Sequence, residues 1–490
     1  MNNNSLQNKT ELFYYLLSKT RVKTNIKKQV RNEGLNLFPL SFSQEEFYFL
    51  NQLQPNDLAL NLSFAYKLSG QLDINALEKT FTEIVRRHEV LRTVFIENDE
   101  GIFQKILLFS NFKLPVIDIE FKNTENHIAY AQEILSDLSL EPYDFVKGPL
   151  FRVQLIKISN EKYILWWGMH HIICDAGGQI ILMKEIKELY SWFAFGERHK
   201  LPKLERQIAD FAVWQRENYE TNGLKEKILD WTAKLSGYDK NITLPPKSER
   251  PTMQTFNGLS EEFYIDKEIK KKLKELSAVN NTTLFTVLLS ALKILIFKFT
   301  NKIDIVIGSP FSIRNYDFLE NLICDLSNML LYRTIINKDD TVCTVIKKVK
   351  DTILETLKYN DVPSQHVYYS MNRKREPAYS PLFQIMFIFH QIYTRDNDQF
   401  LDGVISKYLH IPIKSSQFDI SLFLFDDDDI GLYGRFDYNT ALYTREMICE
   451  FIECFKEILK IIAENPGLKI CELSEEINKL VGMERICNNG

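Results

Sequence analysis

Trp166-Trp167-Gly168-Met169-His170-His171-Ile172-Ile173-Cys174-Asp175-Ala176-Gly177-Gly178 is the stretch whose reading organises the rest of the chain. An apolar run leads into two adjacent histidines, then an acid, then two glycines, in a chain with only eight histidines. Tyr163 to Met169 has the length and composition of a buried strand, and Phe151 to Ile158, reached through the turn-like Ser159-Asn160-Glu161, is its hairpin partner. Downstream, Ile181, Leu182, Ile186, Leu189, Tyr190 and Phe193 recur at helical spacing, so the glycines lie between a strand and a helix. Neighbours on a strand point to opposite faces. His170 and His171 therefore do not chelate one metal ion; one imidazole faces a cleft and the other packs behind it. Asp175 follows Ile172-Ile173-Cys174 and is expected to be buried, which demands a cation or several hydrogen-bond donors. Arg314, closing Ile307-Gly308-Ser309-Pro310-Phe311-Ser312-Ile313-Arg314, is the candidate partner. If the two meet, an ion pair between distant halves of the chain holds the loop.

The composition narrows the setting. With 490 residues, 26% charged and 45% hydrophobic, the chain is too long for one ordinary core and suits two or three. Its 15 prolines and 18 glycines exclude collagen-like, Pro-rich and linker-rich architectures. Sixty Lys and Arg against 65 Asp and Glu leave a net charge of −5, no field for steering toward nucleic acid or a membrane surface, and neither partner is expected. Cys174, Cys324, Cys343, Cys449, Cys454, Cys471 and Cys487 form no CxxC pair, so a disulfide framework and a zinc ribbon are both disfavoured and a reducing, cytoplasmic setting is expected. Leu284 to Phe299, interrupted by Lys293 and Lys298, is shorter than the roughly 20 residues of a membrane span and reads as a core helix. The first residues lack a signal-peptide pattern.

The pattern along the chain predicts two α/β lobes of similar size. Residues 1–35 read as a basic extension or docking helix, with Leu12, Phe13, Tyr15, Leu16 and Leu17 clustered among the charges. The first lobe covers 36–243; within it, Asp73 caps an amphipathic helix carrying Leu77, Phe81, Ile84 and Val85, which feeds a strand at Leu91 to Ile96. Residues 244–258, with the run LPPKSERPTMQTFNG, are the predicted linker. The second lobe, 259–475, restarts with helices at Lys267 to Val279 and Thr283 to Phe299 and a strand at Ile303 to Ile307. A helix at Thr341 to Leu357, a strand at Leu382 to Phe389 and a hairpin around Asp426 to Asp429 complete it. These four aspartates read as a solvated tip, for want of convergent metal ligands. Residues 476–490, in a stretch that reads as irregular from Cys471, are assigned to a tail or interdomain linker.

At this point the residues resemble a known family. His170 to Asp175 matches the first six positions of the HHxxxDG signature of nonribosomal peptide synthetase condensation domains, within the chloramphenicol-acetyltransferase-like superfamily. PLSFSQEEFYFL (39–50), RRHEVLRTVF (86–95), IADFAVWQ (208–215), IVIGSPFSIR with LSNMLLYRT (326–334), YNDVPSQHV (359–367) and SPLFQIMF (380–387) resemble the family's other motifs in their order. The resemblance spans about residues 36 to 475. It implies two acetyltransferase-like lobes in a V-shaped pseudo-dimer with a central tunnel. Donor and acceptor carrier proteins would deliver phosphopantetheine-bound substrates from opposite sides, with no cofactor or metal held by the domain itself. By the same resemblance His171 is the catalytic imidazole, His170, Asp175 and Arg314 support it, and Ser309 and Asn328 belong to the tunnel.

Three departures sharpen the expectations. Ala176 stands where the family usually has glycine and Gly178 where serine is common. If the family glycine serves a positive φ, Ala176 strains the loop; if it serves close approach only, Gly177 compensates. Cys324, at another position often held by glycine, reads as a small buried residue. The reaction implied is amide formation by attack of an acceptor amine, carrier-bound or free, on a carrier-bound thioester. An ester-forming acyltransferase and a catalytically silent recruiting domain are the alternatives. With about 440 of the 490 residues taken up by the resemblance, the chain is expected to borrow its activated substrates from partners, either free-standing or as one domain of a longer synthetase.

Overall fold

The structure is a computed structural model describing residues 26–31, 36–53, 58–120, 127–221, 223–314, 316–390, 400–411 and 414–481. The expected docking helix around Leu12 to Leu17 lies outside the described residues. What is described of the basic extension belongs to the first lobe: Ile26 is buried, and Arg31 pairs with Glu89 at 2.8 Å and Asp210 at 3.1 Å.

The first half runs β1 (Leu37–Pro39), α1 (Phe42–Leu53), β2 (Asn61–Gly70), α2 (Ile74–Arg87), β3 (Thr93–Asn98), β4 (Gly101–Ile106), β5 (Val116–Asp118), α3 (His127–Ser139), β6 (Phe151–Ser159), β7 (Lys162–His170), α4 (Ala176–Phe195), α5 (Ile208–Thr221) and α6 (Leu224–Lys234). The second adds β8 (Gly258–Ile265), α7 (Lys267–Val279), α8 (Leu284–Thr300), β9 (Asp304–Ser312), β10 (Ser327–Ile335), α9 (Val342–Thr356), α10 (Ser364–Ser370), β11 (Ile385–His390), β12 (Val404–Tyr408), β13 (Ile420–Asp427), β14 (Gly431–Asn439), α11 (Arg445–Glu464) and α12 (Ile470–Val481). A five-stranded sheet, ordered β12-β2-β7-β6-β5, centres the first lobe beside a small β1-β4-β3 sheet. A six-stranded sheet, ordered β10-β9-β11-β13-β14-β8, centres the second.

β7 reads as a continuous apolar run because both its faces are covered. Tyr163, Leu165, Trp167 and Met169 enter the main core of the lobe, while Ile164 and Trp166 pack on the other face with Ala131 and Leu135 of α3. The β6–β7 hairpin forms as predicted, with Phe151 opposite Met169. α2 is capped as predicted, Asp73 Oδ1 accepting from Ala76 N at 2.9 Å, and buries Leu77, Phe81, Ile84 and Val85. Its strand starts late: Glu89–Arg92 form a 3-10 turn, and β3 begins at Thr93. Among the described residues no single helix is long and apolar enough to cross a membrane. α8 lies in the second core, and Lys293, which interrupts its apolar run, donates to the carbonyls of Ile305 at 2.9 Å and Tyr332 at 2.7 Å.

The predicted lobe boundaries need correction. The chain reaches the second lobe before residue 244: Ile228, Trp231, Leu235 and Tyr238 pack with Val306, Leu331 and Tyr359. Residues 244–258 are a packed strap, with Leu244 O accepting from Tyr443 Oη at 2.8 Å and Arg250 Nη1 donating to Asp419 Oδ1 at 2.9 Å. Two segments of the second half belong to the first lobe: β12 pairs with β2 there, and Leu319, Leu322, Ile323 and Cys324 join its core. Nor is the stretch from Cys471 wholly a tail. α12 buries Ile470, Leu473 and Ile477 in the second core, three positions at helical spacing. The aspartate run is only half solvated; Asp428 is exposed, but Asp426 pairs with Lys270 and, at 2.8 Å, with Lys274.

Candidate active site

β7 delivers the histidine pair to the seam between the lobes. His170 N donates to Leu150 O at 3.2 Å and His171 N to Leu60 O at 2.9 Å, after which His171–Ile173 turn as a 3-10 segment. The two side chains have different surroundings. His170 is 2% exposed, lies edge-on to Phe145 at 4.7 Å, and its Nδ1 accepts from Ile172 N at 3.1 Å. Burial, with His171 beside it, pushes its pKa down to about 3, so it is a neutral structural imidazole at physiological pH. The His171 side chain is 27% exposed, stacks at a tilt on Phe47 of α1 at 4.9 Å, and places Nδ1 3.6 Å from Asp325 Oδ1.

Asp175 and Arg314, separated by 139 residues, meet: Arg314 Nη2 donates to Asp175 Oδ1 at 2.6 Å. Asp175 also caps α4, Oδ1 accepting from Gly178 N at 2.7 Å, while Oδ2 accepts from Leu326 N at 3.0 Å. Arg314 donates further to the carbonyls of Leu319 at 3.1 Å, Leu322 at 2.7 Å and Cys324 at 2.8 Å. One ion pair thus fixes both the loop after the histidines and the segment leading to Asp325.

The glycine positions explain the sequence departures. Ala176 is the exposed first residue of α4 and is not among the residues with positive φ, so its methyl meets no backbone strain. Close approach is needed one residue later: a Cβ on Gly177 would lie 2.5 Å from Arg314 Nε, and one on Gly178 would lie 2.8 Å from Cys174 Sγ. Cys324 is buried, and burial pushes its thiol up to about 12, which removes it as a nucleophile at neutral pH. Ser309 is buried on β9 opposite Leu330. Asn328 spends its amide inside the second lobe, Nδ2 donating to Asn360 O at 2.8 Å and Val362 O at 2.7 Å and Oδ1 accepting from Ser364 N at 3.2 Å.

Two acids near His171 escaped the sequence reading. Asp325 is buried, and burial pushes its carboxyl up to about 6 against the opposing pull of His171. Glu46, next to Phe47 on α1, accepts from Ser364 Oγ at 3.3 Å; burial, with Asp325 nearby, pushes it up to about 7. The signal for Asp325 was the one that singled out Asp175, an acid within an apolar run, Leu322-Ile323-Cys324-Asp325-Leu326. The arrangement presents one accessible imidazole, flanked by a carboxylate and an aromatic ring and held by a buried ion pair. It can take up and return a proton.

The chain is similar to known proteins over most of its length. The family model described as Condensation domain matches residues 35–478. One of the linear gramicidin synthase proteins of Brevibacillus parabrevis is 33% identical over 437 residues, covering 89% of this chain and 8% of that protein. Bacitracin synthase 3 of Bacillus licheniformis is 30% identical over 453 residues, covering 92% of this chain and 7% of that protein. The chain therefore spans under a tenth of the length of these relatives. Among solved structures, the X-domain from teicoplanin biosynthesis superposes with a TM-score of 0.82 at 20% identity, covering 92% of this chain and 99% of that one. The four-domain nonribosomal peptide synthetase AB3403 gives 0.81 at 20% identity, covering 91% of this chain and 34% of that one. These likenesses give the two lobes the acetyltransferase-like fold. The ordered motifs, the paired lobes and the matched span agree: the chain belongs to the condensation-domain family of nonribosomal peptide synthesis.

Proposed function

We propose that this domain forms an amide by attack of an acceptor amine on an acyl or peptidyl thioester, both presented on phosphopantetheine arms of partner carrier proteins. The observation that carries the reading is the contrast within the histidine pair: His170 is neutral and enclosed, whereas His171 is accessible at the lobe seam beside Asp325. In this reaction the acceptor nitrogen forms the C–N bond, its surplus proton passes to the imidazole, and the departing thiolate takes a proton back. Holding two tethered reactants in contact supplies roughly 7–11 kcal/mol of the barrier, against about 10²–10⁴-fold from a general base. Positioning is therefore the larger contribution, and His171 adds the proton transfer.

The test incubates the protein with loaded donor and acceptor carriers, or with a free amine or alcohol as acceptor, followed by mass spectrometry. An amide product is expected, and His171→Ala is expected to lower its formation by roughly two orders of magnitude or more with the fold intact. Turnover near wild type in that variant would sink the assignment. An ester product selects the alcohol-acceptor alternative, and no product from any pair selects a recruiting role.

A further inference from the structure

Asp325 faces His171 from the other lobe's sequence. It is 1% exposed, its Oδ1 accepts from Ser327 Oγ at 2.7 Å, and its Oδ2 has no hydrogen-bond partner among the described residues. His171 Nδ1, 3.6 Å from Oδ1, has none either. The backbone around Asp325 is fixed on every side. Cys324 O accepts from Arg314, Leu326 N donates to Asp175, and Asp325 O accepts from Ser43 Oγ at 3.2 Å. A buried carboxylate held this way, with no lysine or arginine paired to it among the described residues, is stabilised by whatever positive charge it can reach. The imidazole edge is that group.

We propose that Asp325 is a positioning residue for His171, holding the imidazole as the Nδ1–H tautomer so that Nε2 meets the acceptor amine, and balancing the imidazolium formed when that amine's proton arrives. The inference rests on the amide-forming reading. A carboxylate only accepts, so it selects the tautomer with hydrogen on the facing nitrogen. The 3.6 Å separation is longer than a hydrogen bond and closes into a charge-assisted one when the ring becomes cationic. The proton balance is complete: the amine proton goes to Nε2 as the C–N bond forms, and returns to the thiolate as the C–S bond breaks. Among the described residues the other charged groups around the pair are Glu46 of α1 and the Asp175–Arg314 ion pair, with neutral His170 adjacent.

The experiment combines carrier-loaded turnover with NMR of the full chain labelled with 15N-histidine, the His171 signals being assigned by their loss in His171→Ala. Asp325→Leu is expected to move His171 from the Nδ1–H toward the Nε2–H tautomer. Asp325→Asn, which keeps an acceptor and removes the charge, is expected to lower the His171 pKa and shift the acidic limb of kcat/KM to lower pH. In Asp325→Asn kcat is expected to fall roughly tenfold to a hundredfold, the usual range for an orienting partner, with the acceptor KM unchanged. Ser327→Ala, which removes the carboxylate's other anchor, serves as the control for a structural effect and keeps the Nδ1–H tautomer. A wild-type tautomer in Asp325→Leu, or an unmoved His171 titration in Asp325→Asn, overturns the proposal whatever the activity. A tautomer change in a protein that makes no amide supports the pairing and overturns the amide-forming reading instead.

Discussion

At the scale of single residues, the surroundings of His171 carry more acid than the sequence motifs announce. Glu46 is half-buried with a serine hydroxyl as partner, and its carboxyl is raised from 4.5 to about 7. A carboxyl whose folded pKa is raised costs stability once the pH exceeds its unfolded pKa and costs nothing below it. Glu46→Gln keeps an acceptor for Ser364 and is expected to raise the thermal midpoint at pH 8, the gain vanishing below about pH 4.5; midpoints measured across that range check it. His170 works in the opposite sense. Its folded pKa lies below its unfolded one, so the stability it contributes is present near neutrality and drains away between pH 6.5 and 3. His170→Asn, which keeps an acceptor for Ile172 N, is expected to flatten that part of the pH profile relative to wild type.

At the scale of elements, the N-terminus of α4 decides whether the signature loop survives its alanine. Ala176 occupies a helical first-turn position, so Ala176→Gly is expected to cost up to about 1 kcal/mol in denaturant unfolding and to leave amide formation unchanged. Gly177→Ala is expected to do more harm, because its methyl meets Arg314 Nε and displaces the guanidinium from Asp175. The overpacking cost is about 1–3 kcal/mol, with a loss of turnover as the loop moves. The elements themselves were readable wherever periodicity was strong. The helices at Lys267 and Leu284 and the β6–β7 hairpin form where the pattern put them. The start of β3 was not, because Leu91 lies next to the apolar Val94, Phe95 and Ile96 in sequence while being buried within the 3-10 turn Glu89–Arg92, and only the chain's path from α2 distinguishes the two.

At the scale of the molecule, Arg314 binds the two halves through one buried contact. Arg314→Leu leaves Asp175 buried without its cation, and urea unfolding is expected to show a loss of about 3–5 kcal/mol; a change below about 1 kcal/mol would overturn the clamp. The amino-acid sequence by itself determined the α/β class, the hairpin that ends on His170, the different surroundings of the two adjacent histidines and the candidate partnership of Asp175 with Arg314. Local periodicity and the cost of burying a charge are enough for those. Only the tertiary structure decided that β12 joins the first lobe's sheet, that α6 already packs on the second, and that α12 is core. It also decided that Asp325 faces His171, 154 positions away in sequence. Strand exchange and cross-lobe contacts depend on which surfaces meet after the chain has folded back, and no local pattern encodes that pairing.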